Sequence, residues 1–435
     1  MSIDFYKEFG PLGYLANYSN HSFFDNGIFY KTVEHYYQAH KFSNKELFNK
    51  VLEAETPKEA SNIGRDRNNI RREDFDKLQV MYQGLYLKFS QNKDIRAKLI
   101  ETRNEPIREM TVKESYWGIG PNLDGENHIG ILLMQVRENI KKDLLNSIIE
   151  KCKNKKVYII GHHNPDLDSV FSAYLLSKIL KEEGIDAIFS VRDKNYLDQE
   201  LMSLYLKEEP VVVDDYSDKD FILVDHNNLD SIPHDNVIAS IDHHRITGEV
   251  EDLIEIEYAS TGLLIYDLFK DKHEFTKEEQ ELVALTVLTD TDYLASTRFS
   301  KEDQKLYQEL DVEIDPQEMK KKYLKTTDFS KKRYEVFHTD YKEYDHDDIK
   351  IKRSLIKSFT KEKEEFLPKY MIEMHYNDIN LIIWCDYEKE ETYIIYNNEL
   401  IKHPFFTTST NLVLKYLEEQ GLLSPINKTY CKKSI

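Results

Sequence analysis

The sequence predicts an α/β protein: a mainly helical α+β N-terminal domain, then a parallel-sheet α/β domain, then a smaller α+β C-terminal domain. Three observations carry this. Helical patterns dominate residues 1–148, short β-rich runs alternate with helical segments over 155–310, and alternating strands with one late helix fill 325–435. Strands that alternate with helices point to a mainly parallel sheet covered on both faces. A chain of 435 residues also exceeds one ordinary domain.

Taken in order, the N-terminal helices are expected in KTVEHYYQAHKF, KEASNIGR, DFDKLQVMYQGLYLKFSQ and GILLMQVRENIKKDLLNSIIEK, the last running toward a boundary near KCKNKK. The texture then changes. VYIIG, DAIFSV, PVVV, FILVD and VIASID are expected as strands, with SVFSAYLLSKILKEEG and TKEEQELVALTVLTDT as helices. From about residue 312 a polar helical stretch leads to the strands IKIKRSLIKS, NLIIWC and TYIIYN and the helix TSTNLVLKYLEEQG. Neither an internal repeat nor a low-complexity linker is present.

Composition narrows the functional classes. The hydrophobic share is 40%, with 29 Tyr and 21 Phe, enough for several packed cores. No apolar run approaches the ~20 residues that span a bilayer, so no membrane partner is expected. Cys152, Cys385 and Cys431 are far apart and lack C-x-x-C spacing, which reads as reduced thiols in a cytoplasmic protein. The net charge of −20 is uneven: residues 1–150 carry 21 Lys+Arg against 22 Asp+Glu, and the rest holds almost all the excess acid. The acidic part is a poor general binder of nucleic acid, because neutralising phosphates takes excess Lys and Arg. The near-neutral first part suits a nucleotide or a local contact with nucleic acid.

The middle domain concentrates metal-binding side chains. Ligands in open α/β sheets bind at the carboxyl ends of strands. There, VYIIG is followed by His162, His163, Asp166 and Asp168; FILV runs into Asp225 and His226; VIASI runs into Asp242, His243 and His244. The helix ELVALTVLTDTDY ends in Asp290 and Asp292. One Asp-His pair at a strand end is commonly just a turn. Four such deliveries in one domain are a ligand set. Mixed imidazole and carboxylate donors suit Mn²⁺, Mg²⁺ or Co²⁺, and two ions would need a bridging carboxylate.

GHHNPDLDS, VDHNN, IDHHR and VLTDTDYL, in that order, resemble the signature of the DHH phosphoesterase superfamily, nearest its manganese-dependent (family II) inorganic pyrophosphatase branch. The resemblance runs over roughly 155–430. It implies two divalent metal ions, Mn²⁺ with Mg²⁺ or Co²⁺ as alternatives. One would be held by His162, Asp166 and Asp225, the second by Asp168, Asp225, His243 and Asp290. Asp225 would bridge, His244 would face the phosphate, and His163 would stand outside the ligand set. The C-terminal domain resembles the one that closes over substrate in that branch, and DYKEY matches a family lysine at Lys342. The branch's late Ser-Arg-Lys-Lys signature is absent. NNELIKHPFFTTST stands there instead, with Lys402 and His403 as its cations. Without an arginine fork, a larger phosphoanhydride or a nucleotide becomes a better substrate than pyrophosphate.

In the N-terminal domain, Glu34, Gln38 and Lys41 fall at i, i+4 and i+7 of TVEHYYQAHKF and share one helix face. Alone this is a solvated stripe. Elsewhere, IGRDRNNIRRED offers Arg65, Arg67, Arg71 and Arg72, and SYWGIGPNLDGENHIG sets Tyr116 and Trp117 before a run of glycines. Such glycines let backbone N–H groups approach a ligand, and the aromatic rings can stack on a base.

As a set, E-H-Y-x-Q-A-x-K-F, the G-R pair and W-G-x-G…G-x-N-x-x-G…LM-x-x-R resemble the NADAR family over about residues 3–140. The resemblance implies an N-glycosidase that cleaves a C1′–N bond of ribose, in ADP-ribose-like or riboflavin-precursor compounds. An oxocarbenium-like transition state calls for a carboxylate at the anomeric carbon. Glu34 is expected in that role, with Lys41 beside it and Glu114 as a further catalytic carboxylate where relatives often carry Asp. Arg65, Phe75 (where a tryptophan is common), Tyr116, Trp117, Gly118 and Asn127 are expected to contact substrate.

The function these readings favour is a bifunctional hydrolase: an N-glycosidase fused to a two-metal phosphohydrolase. Its partners would be a small nucleotide or phosphoanhydride and, for the N-terminal domain, ADP-ribosylated nucleic acid. A homo-oligomer is compatible with the sequence. The competing reading makes the N-terminal domain a non-catalytic nucleotide sensor that gates the phosphohydrolase.

Overall fold

The computed structural model describes residues 2–422 except 113, 195–198, 230–231, 245–249, 251–252, 297–298, 325, 332, 339–340, 347–348, 359, 374–378, 390, 397–398, 405–406, 409 and 421. It divides into two compact units, Met1–Glu274 and Phe275–Ile435.

In the first unit, the N-terminal domain has strands β1 (Ile3–Phe5), β2 (Phe23–Asp25) and β3 (Ile28–Tyr30), helices α1 (Val33–Ala39), α2 (Lys45–Glu53), α3 (Pro57–Arg65), α4 (Lys77–Gln91) and α5 (Lys93–Glu101), strand β4 (Ile107–Glu109) and helix α6 (His128–Cys152). β1 and β4 pair in parallel, and β2 and β3 form a hairpin. Asn26-Gly27 turns that hairpin with φ of 47° and 80°, the two-residue turn that matches strand twist and favours Asn-Gly. Every residue of α1 is buried, so it is the central helix of this domain. Thr32 caps it by accepting from the His35 amide at 3.3 Å. Helix α6 runs past the expected boundary at residue 148 and ends at Cys152, four residues before β5.

The second domain of this unit comprises β5 (Lys156–Ile160), α7 (Leu167–Glu182), β6 (Asp186–Val191), α8 (Gln199–Tyr205), β7 (Val211–Val212), β8 (Asp220–Val224), β9 (Val237–Asp242), β10 (Leu253–Glu255) and α9 (Thr261–Phe269). The five strands read from sequence are joined by β10. All pairings are parallel, in the order β10-β9-β8-β5-β6-β7. From β5 the chain winds outward to β6 and β7; from β8 it winds the other way to β9 and β10. The reversal falls between β5 and β8, and the crevice at the carboxyl ends of strands flanking such a reversal is where ligands bind.

The second unit opens with α10 (Lys277–Asp290), α11 (Lys301–Glu309), α12 (Pro316–Tyr323) and α13 (Arg333–His338). It continues with β11 (Tyr341–His346), β12 (Ile349–Ser358), α14 (Thr360–Glu373), β13 (Leu381–Asp386), β14 (Glu391–Tyr396), β15 (Glu399–Lys402) and α15 (Thr410–Glu419). The strands form one mixed sheet in sequence order. Among them β12 and β13 run parallel, which requires a crossover, supplied by α14. One apolar cluster gathers Ile383, Ile394 and Leu417, and another gathers Ile382, Trp384 and Phe337. No helix among the described residues is long and apolar enough to cross a membrane.

Helix α9 turns its first amides toward the carboxyl edge of the parallel sheet, where the N–H groups of Thr261 and Gly262 meet Asp168. Ser260 caps this helix, with Oγ accepting from the Leu263 amide at 3.1 Å. Ser260→Ala is expected to cost about 1 kcal/mol of stability, read as a lower urea midpoint with an unchanged slope.

Candidate active sites

At the carboxyl edge of the parallel sheet, three neighbouring strands deliver polar side chains. The loop after β5 carries His162 and Asp166, and the first turn of α7 carries Asp168; β8 is followed by Asp225; β9 ends at Asp242 and is followed by His243 and His244. Asp225 stands at the centre. It is 2% exposed and sits at φ 61°, a left-handed conformation that Asp tolerates better than most residues. His162 Nε2 lies 3.3 Å from Asp225 Oδ2, and His243 Nε2 lies 3.3 Å from Asp225 Oδ1. Asp166 is 3.6 Å from His162 on the first side. Asp168 is 3.7 Å from His243 on the second.

The imidazoles are oriented from behind. His162 Nδ1 is 2.8 Å from the His163 carbonyl, and His243 Nδ1 is 2.9 Å from the Tyr258 carbonyl. A carbonyl only accepts, so each Nδ1 carries a proton and donates to it; Nε2 is turned to the carboxylates, and against the cost of burial Asp166 and Asp225 hold a second proton on His162. His226 is set differently: Nδ1–H donates to the Val224 carbonyl and Nε2 accepts from Arg192 at 2.9 Å. Burial and the Arg192 charge push its pKa down to about 4. His163 is half-exposed and pairs with Asp193 at 3.6 Å. His244 donates from Nδ1 to Asp242 at 2.9 Å, and Asn227 holds the other oxygen of Asp242 at 2.7 Å.

Asp168, in the first turn of α7, is wholly buried against the first amides of α9. Its oxygens accept from the Thr261 amide at 2.7 Å, the Gly262 amide at 2.9 Å and Ser172 Oγ at 3.0 Å. Burial first, and then the Asp225 charge, push its pKa up to about 7. For Asp225, burial works against the charge, but bonds from His162 and His243 outweigh it and hold the carboxyl below the usual range.

Two donor groups thus meet at one residue: His162, Asp166 and Asp225 on one side, and Asp225, His243 and His244 on the other, the donor atoms of each group within 4.8 Å of one another. Imidazole Nε2 and carboxylate oxygen, with each ring locked from behind, are donors that fit a divalent cation. Asp290 closes α10 in the second unit. In that unit, Asp292 accepts from Lys357 at 2.8 Å and from Thr408 at 3.2 Å, so Lys357 is a cation that sequence reasoning passed over. Lys342 is exposed on β11, and Lys402 is exposed and ion-paired with Glu391.

The N-terminal domain encloses a second site. A cavity of about 220 Å³ is lined by Glu34, Lys41, Arg65, Glu109, Glu114 and Trp117, among others. Glu34 is 3% exposed; its carboxylate accepts from Asn17 Nδ2 at 2.7 Å, Gln38 Nε2 at 2.7 Å and Tyr18 Oη at 3.4 Å. The helix-face reading of Glu34 and Gln38 therefore describes a real contact, in a buried helix instead of a solvated one. Gly64 makes room for Gln38: a Cβ there would stand 1.8 Å from Gln38 Oε1.

Lys41 lies just beyond α1, with Nζ 4.8 Å from the centre of the Tyr37 ring. Burial, then the Arg71 charge, pushes its pKa down to about 8. Tyr37 stands edge-on to both Phe75 and Trp117, at 5.3 and 5.7 Å, so the two expected aromatic residues build one wall through Tyr37.

Glu114 accepts from the amides of Tyr116, Trp117 and Gly118 at 2.9–3.2 Å, which holds the glycine-rich loop in place. A Cβ on Gly118 would meet the Glu109 carbonyl at 2.5 Å, so only glycine lets this loop lie against β4. Asn127 binds β4 through the Ile107 carbonyl at 2.8 Å and the Glu109 amide at 3.0 Å. Its amide is thus committed to the scaffold. Lys77 sits over the Tyr116 ring, 3.4 Å from its centre.

Glu109 was not among the expected site residues, and a single Glu in IREM gives no periodic or motif signal. Burial, then the charges of Glu114 and Glu34, push its pKa up to about 7, and its Oε2 is buried without a hydrogen-bond partner among the described residues.

Two segments of the chain are similar to known proteins. The NADAR domain model matches residues 4–141. An N-glycosidase of Nostoc punctiforme is 39% identical over 146 residues, covering 32% of this chain and 94% of that protein. The N-glycosidase YbiA of Escherichia coli is 34% identical over 140 residues, covering 32% of this chain and 88% of its own. The chain belongs to the NADAR family. A second model, the DHH family N-terminal domain, matches residues 156–289, so a DHH domain follows the NADAR domain. Among solved structures, a Methanococcus jannaschii protein assigned as a family II inorganic pyrophosphatase aligns at 21% identity with a TM-score of 0.40, covering 62% of this chain and 91% of that one. Both domain families are families of hydrolases.

The raised Glu109 carboxyl makes the NADAR domain sensitive to pH. It stays protonated in the folded chain while the unfolded chain ionises near 4.5, so folding stability falls as pH rises from about 4.5 to 7. Glu109→Gln is expected to remove part of that fall, a gain on the order of 1–3 kcal/mol at pH 8 and little at pH 4.5. Urea unfolding of both proteins at the two pH values measures it.

Proposed function

We propose that the chain is a bifunctional hydrolase, with an N-glycosidase acting on ribose N-glycosides and a two-metal phosphohydrolase acting on a phosphoanhydride or nucleotide. The observation that carries the second activity is Asp225, one buried carboxylate that belongs to two donor groups at the sheet's switch point. On this reading His162, Asp166 and Asp225 would hold one ion, and Asp168, Asp225 and His243, with Asp290 as the resemblance implies, would hold the other. When bound, such a pair supplies Lewis-acid polarisation of phosphoryl oxygens and lowers the pKa of water. The protein's own part is to fix the donors and aim His244. Nδ1–H of His244 is held by buried Asp242, which supports a reading in which Nε2 meets the phosphate.

In the NADAR domain, Glu34 and Lys41 face one cavity with Glu109. About 220 Å³ is below the ~300–1,000 Å³ typical of sites that engulf a drug-sized ligand. The cavity therefore suits a ribose with its scissile bond, and the exposed Arg65 at the lining suits the phosphates of an ADP-ribose-like substrate. The C1′–N bond breaks with its electron pair leaving on the base nitrogen. Glu109, protonated up to about pH 7, gives that nitrogen a proton. Glu34, held by Asn17 and Gln38, faces the positive charge at C1′ and takes a proton from the water that adds there. ADP-ribosyl-guanine and riboflavin-precursor glycosides both meet this description.

Asp225→Asn is expected to abolish phosphate release with Mn²⁺ and leave glycosidase activity within twofold. Glu34→Gln is expected to do the reverse, lowering glycosidase turnover by roughly 10²–10⁴. Mass spectrometry of products from ADP-ribosylated guanosine, riboflavin-pathway ribosylamine phosphates and pyrophosphate reads both. Loss of both activities in either variant contradicts two separable sites, and tight ADP-ribose binding without turnover favours the sensor role for the NADAR domain. Glycosidase kcat is expected to decline above about pH 7, and Glu109→Gln to flatten that limb.

A further inference from the structure

The NADAR and DHH domains share one compact unit, and one side chain reaches from the first to the scaffold of the second. Arg103 follows the end of α5 at φ 50°, a left-handed conformation costly for a residue with a Cβ. Its amide donates to the Ile100 carbonyl at 2.9 Å. The turn is clamped from α6: Arg137 Nη1 donates to Thr102 Oγ1 at 2.8 Å and to the Glu105 carbonyl at 3.0 Å. So held, the Arg103 guanidinium lies over the Tyr258 ring, 3.8 Å from its centre, and Nη1 donates to the Glu257 carbonyl at 3.3 Å. Both side chains are buried, at 9% and 4% exposure.

Tyr258 is no ordinary contact. Its carbonyl receives the Nδ1–H of His243. Its hydroxyl donates to Asp267 on α9 at 2.6 Å, so the ring is pinned at both ends. Three residues on, the Thr261 and Gly262 amides hold Asp168. The segment between β10 and α9 thus orients both an imidazole and a carboxylate of the metal cluster, and Arg103 fastens that segment from the NADAR domain. A planar guanidinium stacked on an aromatic face out of water is well suited to this, because it adds both attraction and a fixed plane.

We propose that Arg103 is a positioning residue for the metal cluster, through which the NADAR domain sets the divalent-cation affinity of the DHH domain. The inference rests on the proposed two-metal function of that cluster. Groups that orient metal ligands from behind typically contribute 10–100-fold in affinity. The test is calorimetric titration of the full chain with Mn²⁺ alone, alongside thermal melting of each variant in chelator. Arg103→Ala is expected to weaken Mn²⁺ binding about tenfold, and Arg103→Lys, which keeps a cation over the ring, to recover part of it. Tyr258→Phe, which keeps the ring and carbonyl, is expected to stay within a few-fold of wild type. Tyr258→Leu removes the ring and probes the same contact from the DHH side if Arg103→Ala does not fold. In a His243→Ala background, Arg103→Ala is expected to add no further loss attributable to that ligand.

Wild-type affinity in both Arg103→Ala and Tyr258→Leu, or losses that simply add in the double variant, would overturn the coupling while leaving the metal site standing. A wild-type chain that takes up no Mn²⁺ would overturn the metal reading and the coupling with it.

Discussion

Asp225 is the group on which the DHH domain turns. A carboxylate that is 2% exposed is costly to keep charged, and this one stays charged because His162 and His243 close on its two oxygens from opposite sides. That arrangement needs three strand ends side by side. It therefore depends on the order β9-β8-β5 and on the winding reversal between β5 and β8. It also needs rings that cannot turn, which the carbonyls of His163 and Tyr258 secure. The parallel sheet, the left-handed backbone at Asp225 and the placement of α9 over Asp168 are all requirements of one buried charge cluster.

The NADAR domain handles buried carboxylates by other means. Burial raises the pKa of both carboxyls: for Glu34 the Gln38 amide and the Lys41 charge offset it in part, and Glu109 is left to hold its proton. The two carboxyls differ in the donors that meet them, and unlike surroundings in one cavity are what separate acid and base roles require. The glycines serve packing: Gly64 admits Gln38, and Gly118 admits the strand carrying Glu109. Glu114 and Asn127 hold the loop and the strand around this cavity.

Between the two, α6 runs from the NADAR domain to the start of β5, and Arg103 crosses to Tyr258. Two sites of different chemistry therefore rest on a common buried interface. In the proposed coupling, a change at Arg103 reaches the Tyr258 carbonyl that holds His243.

Much of this was legible in the chain. Alternating β-rich and helical segments determined a parallel sheet, because only buried strands read VYII, FILV and VIASI. GHHNPDLDS, VDHNN and IDHHR determined the metal-type donors, because such residues have little other reason to follow buried strands at three places. Asn26-Gly27 determined its hairpin by backbone chirality alone. What the tertiary structure decided were the relations between distant residues. Glu109 became a site residue only when β4 lay beside the loop 114–127, and its pKa is raised by a burial that no local pattern encodes. Lys357 met Asp292 across 65 positions, and Lys402 met Glu391 on the neighbouring strand. Arg103 met Tyr258 across 155 positions. Sequence periodicity reports which residues leave water; which of them then touch is set by how the elements pack.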